Sequence, residues 1–586
     1  MLTQQQILSS EIPDVGDNFR KEYDFIVIGS GSGGSVMANR LTEISKISVL
    51  LIEAGGQESL VNQIPLTAAF TSITHYNWGY KTEPEKNACH GHTGGVCSWP
   101  KGKGIGGTSL VNFMVYNRGH RKDFDLWSKL GNYGWDYDNI LPYFKKSEII
   151  RIPELNNSLY HGHNGYMDVT YPPYKSQLVN AFLKTGYDLG YNISDPNGKN
   201  ILGFSRIQAN IRDGRRCSAG KAFIEPITNR KNLDISMNSM VVKLLINNKT
   251  KIVEGVALIK DKKLYVVRAK KEVILAAGVV GSPQLLMLSG IGPKEHLNEL
   301  NISLIEDLKV GYNLQDHISL PGLTFLVNSD VTIVTSKIMR PSAIFQYLFR
   351  GEGIYTLPGG AEAYCFVRTE NSTVDEDYSD LEIVLGNGGL NNDRVGALRN
   401  LLGLTKKFVQ NTYSDIYGEH AFGLVPVLLN TKSRGRITLK NKNPFSSPKL
   451  VANYFQYPEE IETLTKGIRL AIKISESKHF KKFGTRFHRK PYYGCENEKF
   501  DSDSYWKCCI RRHAISLQHQ VGTCKMGPKT DREAVVDSEL KVYGIKNLRV
   551  VDASIIPVLP AAHTNSIALM IGEKGADMVK KSWNLL

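Results

Sequence analysis

Four residues near the start of the chain, Gly29, Gly31, Gly34 and Glu53, have the types and spacing to hold a nucleotide diphosphate. Gly29 permits a tight turn after the apolar run Phe25 to Ile28, Gly31 lets the backbone approach a pyrophosphate, and Gly34 lets the next helix pack closely on the strand. The first helical amides and the helix dipole face those phosphates. Glu53, at the end of a second apolar run from Ile47 to Ile52, is placed to take ribose hydroxyls. The glycines alone are a weak signal, but strand, turn, helix, strand and acid in order predict a dinucleotide-binding βαβ unit. A second glycine-rich segment, Gly104 to Asn112, sets Thr108 and Asn112 on a backbone able to lie against a flat ligand.

The elements around these segments are not a simple βα series. Glu272 to Ala277 reads as another buried strand ending at Gly278, Ser282-Pro283 predicts the cap and start of a helix through Leu286 and Leu288, and Gly290 to Pro293 stops it. Asn547 to Val551 reads as a last strand ending in Asp552, and a final helix is predicted from about Asn565 to Lys580, with Ile567, Met570, Ile571 and Met578 on one face. The stretches 150 to 225 and 320 to 525 alternate short β-like runs with turn residues. They read as a second domain inserted into the first.

Composition removes other classes. The 586 residues, 41% hydrophobic, can bury a large core in two or more domains, and no run reaches the ~18 apolar residues of a membrane span. The net charge of +15 is mostly dispersed. Its densest patch, Lys478 to Lys490, interleaves Phe480, Phe483 and Phe487 with Lys481, Lys482, Arg486 and Arg489; we read it as an amphipathic helix end with a solvated basic face, not a nucleic-acid stripe. Residues 1 to 20 are a polar tail without an apolar signal core, so the chain is either intracellular or the product of leader removal. Among eight cysteines, Cys89 with Cys97 and Cys495 with Cys508 are placed to close surface loops in an oxidising compartment, buried free thiols being the alternative. The sequons at Asn156, Asn192, Asn248, Asn301 and Asn371 occur at about the chance frequency and do not decide between compartments.

Together these segments resemble the glucose-methanol-choline family of flavin oxidoreductases over nearly the whole chain. Gly29 to Gly34 is similar to the family's FAD fingerprint, Gly106 to Asn112 with Tyr116 to Gly119 resembles its first signature, and Gly281 to Pro293 its second. Gly311 to His317 and His519 to Thr523 also fit, while Asn77 to Pro84, Tyr505 to Cys508 and Gly522 to Pro528 look most like the arthropod branch, which is usually secreted. The resemblance implies an α/β fold: a discontinuous Rossmann-like FAD domain with an inserted α+β substrate domain on an antiparallel sheet. The expected boundaries are 21–150, 225–320 and 530–586 for the FAD domain, and 151–224 and 321–529 for the substrate domain. Carried over residue by residue, FAD is expected at Gly29, Gly31, Ser32, Gly33, Gly34, Glu53 and Trp78, and at Thr108, Asn112, Phe113, Met114 and Val115. Val241, Asp552, Ala553, Thr564 and Asn565 complete the set, with no metal. Val111 stands where choline-oxidising members carry a flavin-linked histidine, so the resemblance implies non-covalent FAD.

The family's histidine pair falls on His519 and His563. Alcohol oxidation needs a base for the hydroxyl proton and an acceptor for hydride; histidine serves the first at neutral pH and flavin the second. The implied roles are His519 as base during hydride transfer to flavin N5, His563 orienting the same oxygen, and the helix start near Thr564 and Asn565 facing the flavin's pyrimidine edge. His317 and His513 are lesser candidates, with His513 the next place to look; His90, His92, His120 and His479 receive no role. Gln518 and Gln520 depart from the family pattern, predicting a more polar or reshaped wall beside the base. The implied partners are a small aromatic or hydrophobic alcohol or cyanohydrin, and oxygen or a quinone as acceptor, with oligomeric state left open. Alternatives are a hydroxynitrile lyase, a sugar dehydrogenase of the glucose dehydrogenase type, and a flavin-free binding protein.

Overall fold

A computed structural model describes residues 11–370 and 372–585, so the first half of the polar tail and the Asn371 sequon lie outside the described residues. Two sheets organise the chain. The first has seven strands in the order Leu233–Ser236, Val49–Ile52, Glu22–Ile28, Lys263–Leu275, Val253–Lys260 and Ser239–Ile246, with Leu548–Val550 paired to Lys263–Leu275. Glu22–Ile28 runs parallel to both of its neighbours and is buried from Phe25 or its side chain onward, as a strand covered on both faces requires. The strand read from Glu272 onward begins nine residues earlier, at Lys263. Its first half is mostly exposed, with only Val267 buried, in an antiparallel hairpin with Val253–Lys260, and only its second half carries the apolar run of a parallel core strand.

The second sheet has eight strands, all antiparallel, with Arg486–Phe487, Thr324–Leu326, Ala421–Leu428, Leu381–Asn387, Ala361–Val367 and Gly203–Arg206 in that order. Ile318–Ser319 pairs with both Ala421–Leu428 and Ile515–Ser516. Its membership puts residues 318–319, assigned by sequence to the first domain, in the sheet of the second.

The helix predicted to start at Ser282-Pro283 instead spans Gly278–Leu288, with Pro283 inside it. Proline there cannot donate to the carbonyl four residues earlier, and the Thr523 hydroxyl donates to that Val279 carbonyl at 2.7 Å, which replaces the lost hydrogen bond. The last helix is Thr564–Ser582, with Ile567, Met570 and Ile571 buried. The basic patch is not a helix end of any length. Lys478–Lys481 makes one turn and Arg486–Phe487 is a strand, but Phe480 and Phe483 are buried while Lys481, Lys482, Arg486 and Arg489 are exposed, which keeps the solvated reading.

Both expected cysteine pairs are disulfides, with Cα separations of 5.6 Å for Cys89 and Cys97 and 5.9 Å for Cys495 and Cys508. Cys217, Cys365, Cys509 and Cys524 are buried thiols. The four described sequon asparagines, Asn156, Asn192, Asn248 and Asn301, are exposed. No helix among the described residues is long and apolar enough to cross a membrane.

Candidate active site

The turn after Glu22–Ile28 is fixed by sterics. A Cβ on Gly29, at φ +95°, would lie 2.4 Å from the Ala276 carbonyl oxygen; one on Gly33 would lie 2.2 Å from that of Val551, and one on Gly34 1.9 Å from that of Gly29. Gly31 is different: a Cβ there meets no atom within 4 Å. Three glycines therefore serve backbone packing, and the fourth faces open space. Gly31 is also the N-cap of Ser32–Leu41, and no side chain caps that helix. The last helix is likewise uncapped at His563. Ser32 Oγ donates to Asn565 Oδ1 at 2.6 Å, tying the two helix starts together.

The second glycine segment presses onto the first: Gly106 N donates to the Ser30 carbonyl at 3.0 Å, and a Cβ on Gly107 would lie 2.6 Å from the Gly31 Cα. Glu53 joins them. It accepts from Ser30 N and Oγ at 3.0 and 2.7 Å, from Gly55 N at 2.9 Å and from Gly104 N at 3.1 Å, while burial raises its pKa against those bonds. A ribose hydroxyl would join four protein donors on this carboxylate. Asp552 is similarly engaged, accepting from Gly278 N, Ser282 Oγ and Ser554 N at 2.9, 2.5 and 2.7 Å. Arg216, buried and lowered by that burial to about 10, holds the other end of the segment through the Ser109 and Asn112 carbonyls and Asn112 Oδ1, at 2.9, 2.7 and 2.8 Å.

These walls enclose a cavity of about 820 Å³. Gly29, Gly31, Ser32, Gly33, Glu53 and Trp78 line it; so do Thr108, Asn112, Phe113, Met114 and Val115, and Val241, Asp552, Ala553, Thr564 and Asn565. His519 and His563 line it too, whereas Gly34 does not, being spent on the helix contact. Uncapped amides at two helix starts and a glycine with free space before it suit the negatively charged and flat parts of a flavin dinucleotide. Val111 lines the same cavity and offers no atom for covalent attachment.

Antiparallel pairing of Ile318–Ser319 with Ile515–Ser516, continued by the Gln315 to Val521 bridge, sets His317 beside His519. Their Nδ1 atoms are 2.9 Å apart. The His519 and His563 rings lie edge to face with centroids 4.7 Å apart, and His563 Nε2 donates to Glu382 Oε1 at 3.0 Å. Burial first, then His563, His317 and Lys101, holds the His519 pKa well below the ordinary histidine range. Burial and His563 take His317 to about 3. Both rings are therefore neutral at pH 7. The His519 amide donates to Asp316 Oδ1 at 2.8 Å, and Asp316 Oδ2 accepts from Tyr454, Ser516 and Gln520 at 2.5, 2.5 and 2.9 Å, with burial lifting the acid to about 6. Lys101 Nζ donates to the Gln518 carbonyl at 3.0 Å, and burial lowers it to about 8. Gln518 holds a left-handed φ of +66°, which costs a non-glycine residue roughly 1 kcal/mol and fixes the approach to His519.

His513 is a correction. It stacks on Phe408 with centroids 4.1 Å apart and bonds the Tyr493 carbonyl at 2.9 Å; neither it nor His317 lines the cavity, but His317 touches His519 and is therefore the next histidine after the pair. Gln520 spends its amide on Asp316 and Ser516, so its polarity serves the support of the base. His90, His92, His120 and His479 stay outside the cavity; His120 caps Arg121–Lys129 and His479 meets Asp188 at 3.0 Å. Sequence reasoning missed Glu382, which sits in an alternating strand without a motif, and the supporting roles of Lys101, just before the second glycine segment, and of Asp316, although Asp316 falls inside a motif segment.

Residues 23–319 and 431–572 each match a family model described as GMC oxidoreductase. The chain is 39% identical over 565 residues to glucose dehydrogenase [FAD, quinone] of Drosophila pseudoobscura pseudoobscura, covering 96% of this chain and 87% of that one. It is 32% identical to ecdysone oxidase of Bombyx mori, covering 96% and 82%. Pyridoxine 4-oxidase from Mesorbium loti superposes with a TM-score of 0.79 at 27% identity, covering 95% of this chain and 99% of that one. Two matched segments covering most of the chain, and relatives aligned over nearly its full length, place this chain in the GMC oxidoreductase family, whose members act on CH-OH groups.

Proposed function

We propose that this enzyme uses non-covalently held FAD to oxidise a hydrophobic primary or secondary alcohol, with His519 as the base and His563 as the orienting partner. FAD, when bound, supplies the hydride acceptor. The observation that carries the reading is the His519 ring, backed by His317 and facing His563, in the wall of the same cavity that the glycine turn lines. Glu382, as a carboxylate, can only accept, so His563 must carry a proton on Nε2. With Nδ1 of His519 engaged by His317, Nε2 is the nitrogen His519 offers to the cavity. For that nitrogen to accept the substrate proton, Nδ1–H of His519 donates to His317, which fixes the tautomer. A base so placed is worth ~10²–10⁴ in rate.

The wall near the histidines is largely apolar, with Phe113, Leu323, Tyr364, Val384 and Val425, which favours an aromatic or aliphatic alcohol or a cyanohydrin. Asn387, Asn392, Asp393 and Arg394 also line the cavity, and with the similarity to a glucose dehydrogenase they support a sugar as the second reading. Oxygen or a quinone reoxidises the flavin. Two loop disulfides support an oxidising, extracytoplasmic location.

The test is anaerobic mixing of the holoenzyme with a panel of hydrophobic alcohols and sugars, following the yellow flavin band, then admitting oxygen or a quinone. Bleaching by a hydrophobic alcohol, slowed by deuterium on the carbinol carbon, is the expected result. Cyanide release from a cyanohydrin with the flavin still yellow would replace oxidation by lysis.

A further inference from the structure

The helix Pro341–Arg350 faces the wrong way for a surface helix. Only Tyr347 is buried and Ala343 half-buried, and this face packs towards Tyr355, whose ring centroid is 5.5 Å from that of Tyr347. The opposite face carries Ile344, Phe345, Leu348 and Phe349, all exposed, with Phe345 at 57% and Phe349 at 64%, and Met339 just before the helix is 67% exposed. Phe345 and Phe349 stack at 5.8 Å. Water-soluble surfaces rarely offer four contiguous large apolar side chains on one helix, and such a face marks something that covers it.

Charge says what covers it. From residue 331 to 351 the chain has Lys337, Arg340 and Arg350 and no acid, the next acid being the exposed Glu352. Asp330 is taken by Lys337 at 2.8 Å, and neither Arg340 nor Arg350 makes a salt bridge among the described residues. An apolar face flanked by cations, on a chain of net charge +15, has the pattern of a helix lying in the headgroup region of an anionic bilayer. A second copy fits less well, because two such faces flanked by Arg340 and Arg350 lack the opposite charge that an anionic headgroup supplies.

The helix also adjoins the cavity. Thr335–Ile338, the short helix before it, contributes Thr335 and Ile338 to the cavity wall, as does Tyr355 behind it. Phe70 and Val395, also in that wall, are 43% and 76% exposed and so stand at its mouth. We infer that Pro341–Arg350 docks this protein on an anionic lipid surface, and that the cavity takes an apolar alcohol dissolved in that bilayer. The second half rests on the alcohol oxidation proposed above.

The holoenzyme is pelleted with phosphatidylcholine vesicles made with and without phosphatidylserine, beside F345S/F349S and R340E/R350E. The wild type should pellet with the anionic vesicles and less so in high salt, each double variant should lose at least ~10-fold in partitioning, and all should keep their flavin. A long-chain alcohol in the vesicles should then be oxidised at least ~10-fold more slowly by F345S/F349S, while a short water-soluble alcohol is oxidised at an unchanged rate. Wild type left in the supernatant, or F345S/F349S that still pellets, overturns the docking. So does a wild-type dimer in sedimentation velocity that F345S/F349S converts to monomer, since a second copy then owns the face. Flavin that no alcohol bleaches sinks the proposed oxidation, and substrate delivery with it, while the pelleting arm still decides the docking.

Discussion

The glycine turn and the histidine end of the same cavity are built by opposite means. At the turn, contacts are short-range or backbone to backbone: Gly34 against Gly29, Gly29 against Ala276, Gly107 against Gly31. At the histidine end, His519 depends on His317, 202 residues away, and His563 on Glu382, 181 residues away. The turn is a steric device that leaves no room for a side chain at Gly29, Gly33 or Gly34, and the histidine end is a set of polar contacts between side chains. If the contrast is sound, changes at the first should act on folding or cofactor content, and changes at the second on rate.

The largest effect should come from Gly34→Ala. Its Cβ would lie 1.9 Å from the Gly29 carbonyl oxygen, a backbone atom that cannot step aside, so little folded protein should accumulate. Soluble yield and far-ultraviolet circular dichroism read this, and a normal, stable Gly34→Ala protein would break the steric account. Next, His519→Ala should keep fold and FAD yet reduce its flavin at least ~10²-fold more slowly with the best alcohol. His563→Asn should be milder, since asparagine still bonds the substrate oxygen. Loss of FAD from His519→Ala would blur the two regions into one.

Gly31→Val sharpens the contrast within the turn. It has space for its Cβ in the protein alone, so it should fold but lose FAD, and excess FAD should no longer raise its melting temperature. For the wild type, FAD at 100 times its Kd adds ~2.7 kcal/mol. A fully yellow Gly31→Val would mean that the phosphates lie elsewhere. His317→Ala should lower kcat by roughly 10-fold through the wrong His519 tautomer, with KM little changed; equal loss in both would assign His317 to binding.

The smallest effect is a pH dependence. Asp316 sits at about 6 in the fold, above its usual 3.8, so between those values the folded protein binds more protons at this group than the unfolded chain does. The group therefore favours folding most below pH 4, and that advantage is lost as pH rises through about 6, by at most ~3 kcal/mol. Asp316→Asn should flatten this part of the stability difference between pH 4 and pH 7, read from denaturant midpoints. An unchanged slope would mean that Asp316 is charged throughout.

The nucleotide turn and the meeting of His519 with His563 were legible because each rests on a motif with fixed spacing, whereas spacing left both cysteine pairs open between disulfides and buried thiols. A helix through Leu286 and Leu288 was legible, but its start was not: Pro283 sits inside it, and Thr523, far along the chain, supplies the donor that proline lacks. His513 looked as good as His317 in one dimension, and strand pairing alone separates them. The sequence by itself determined that a dinucleotide turn stands at the front of this chain, because strand, glycines, helix and acid follow in order between Phe25 and Glu53, although the atoms that exclude side chains at Gly29 and Gly33 belong to Ala276 and Val551. Only the tertiary structure decided which histidine backs the base, which carboxylate orients its partner and which apolar helix face stays uncovered, because those depend on long-range register and on burial that no local pattern encodes.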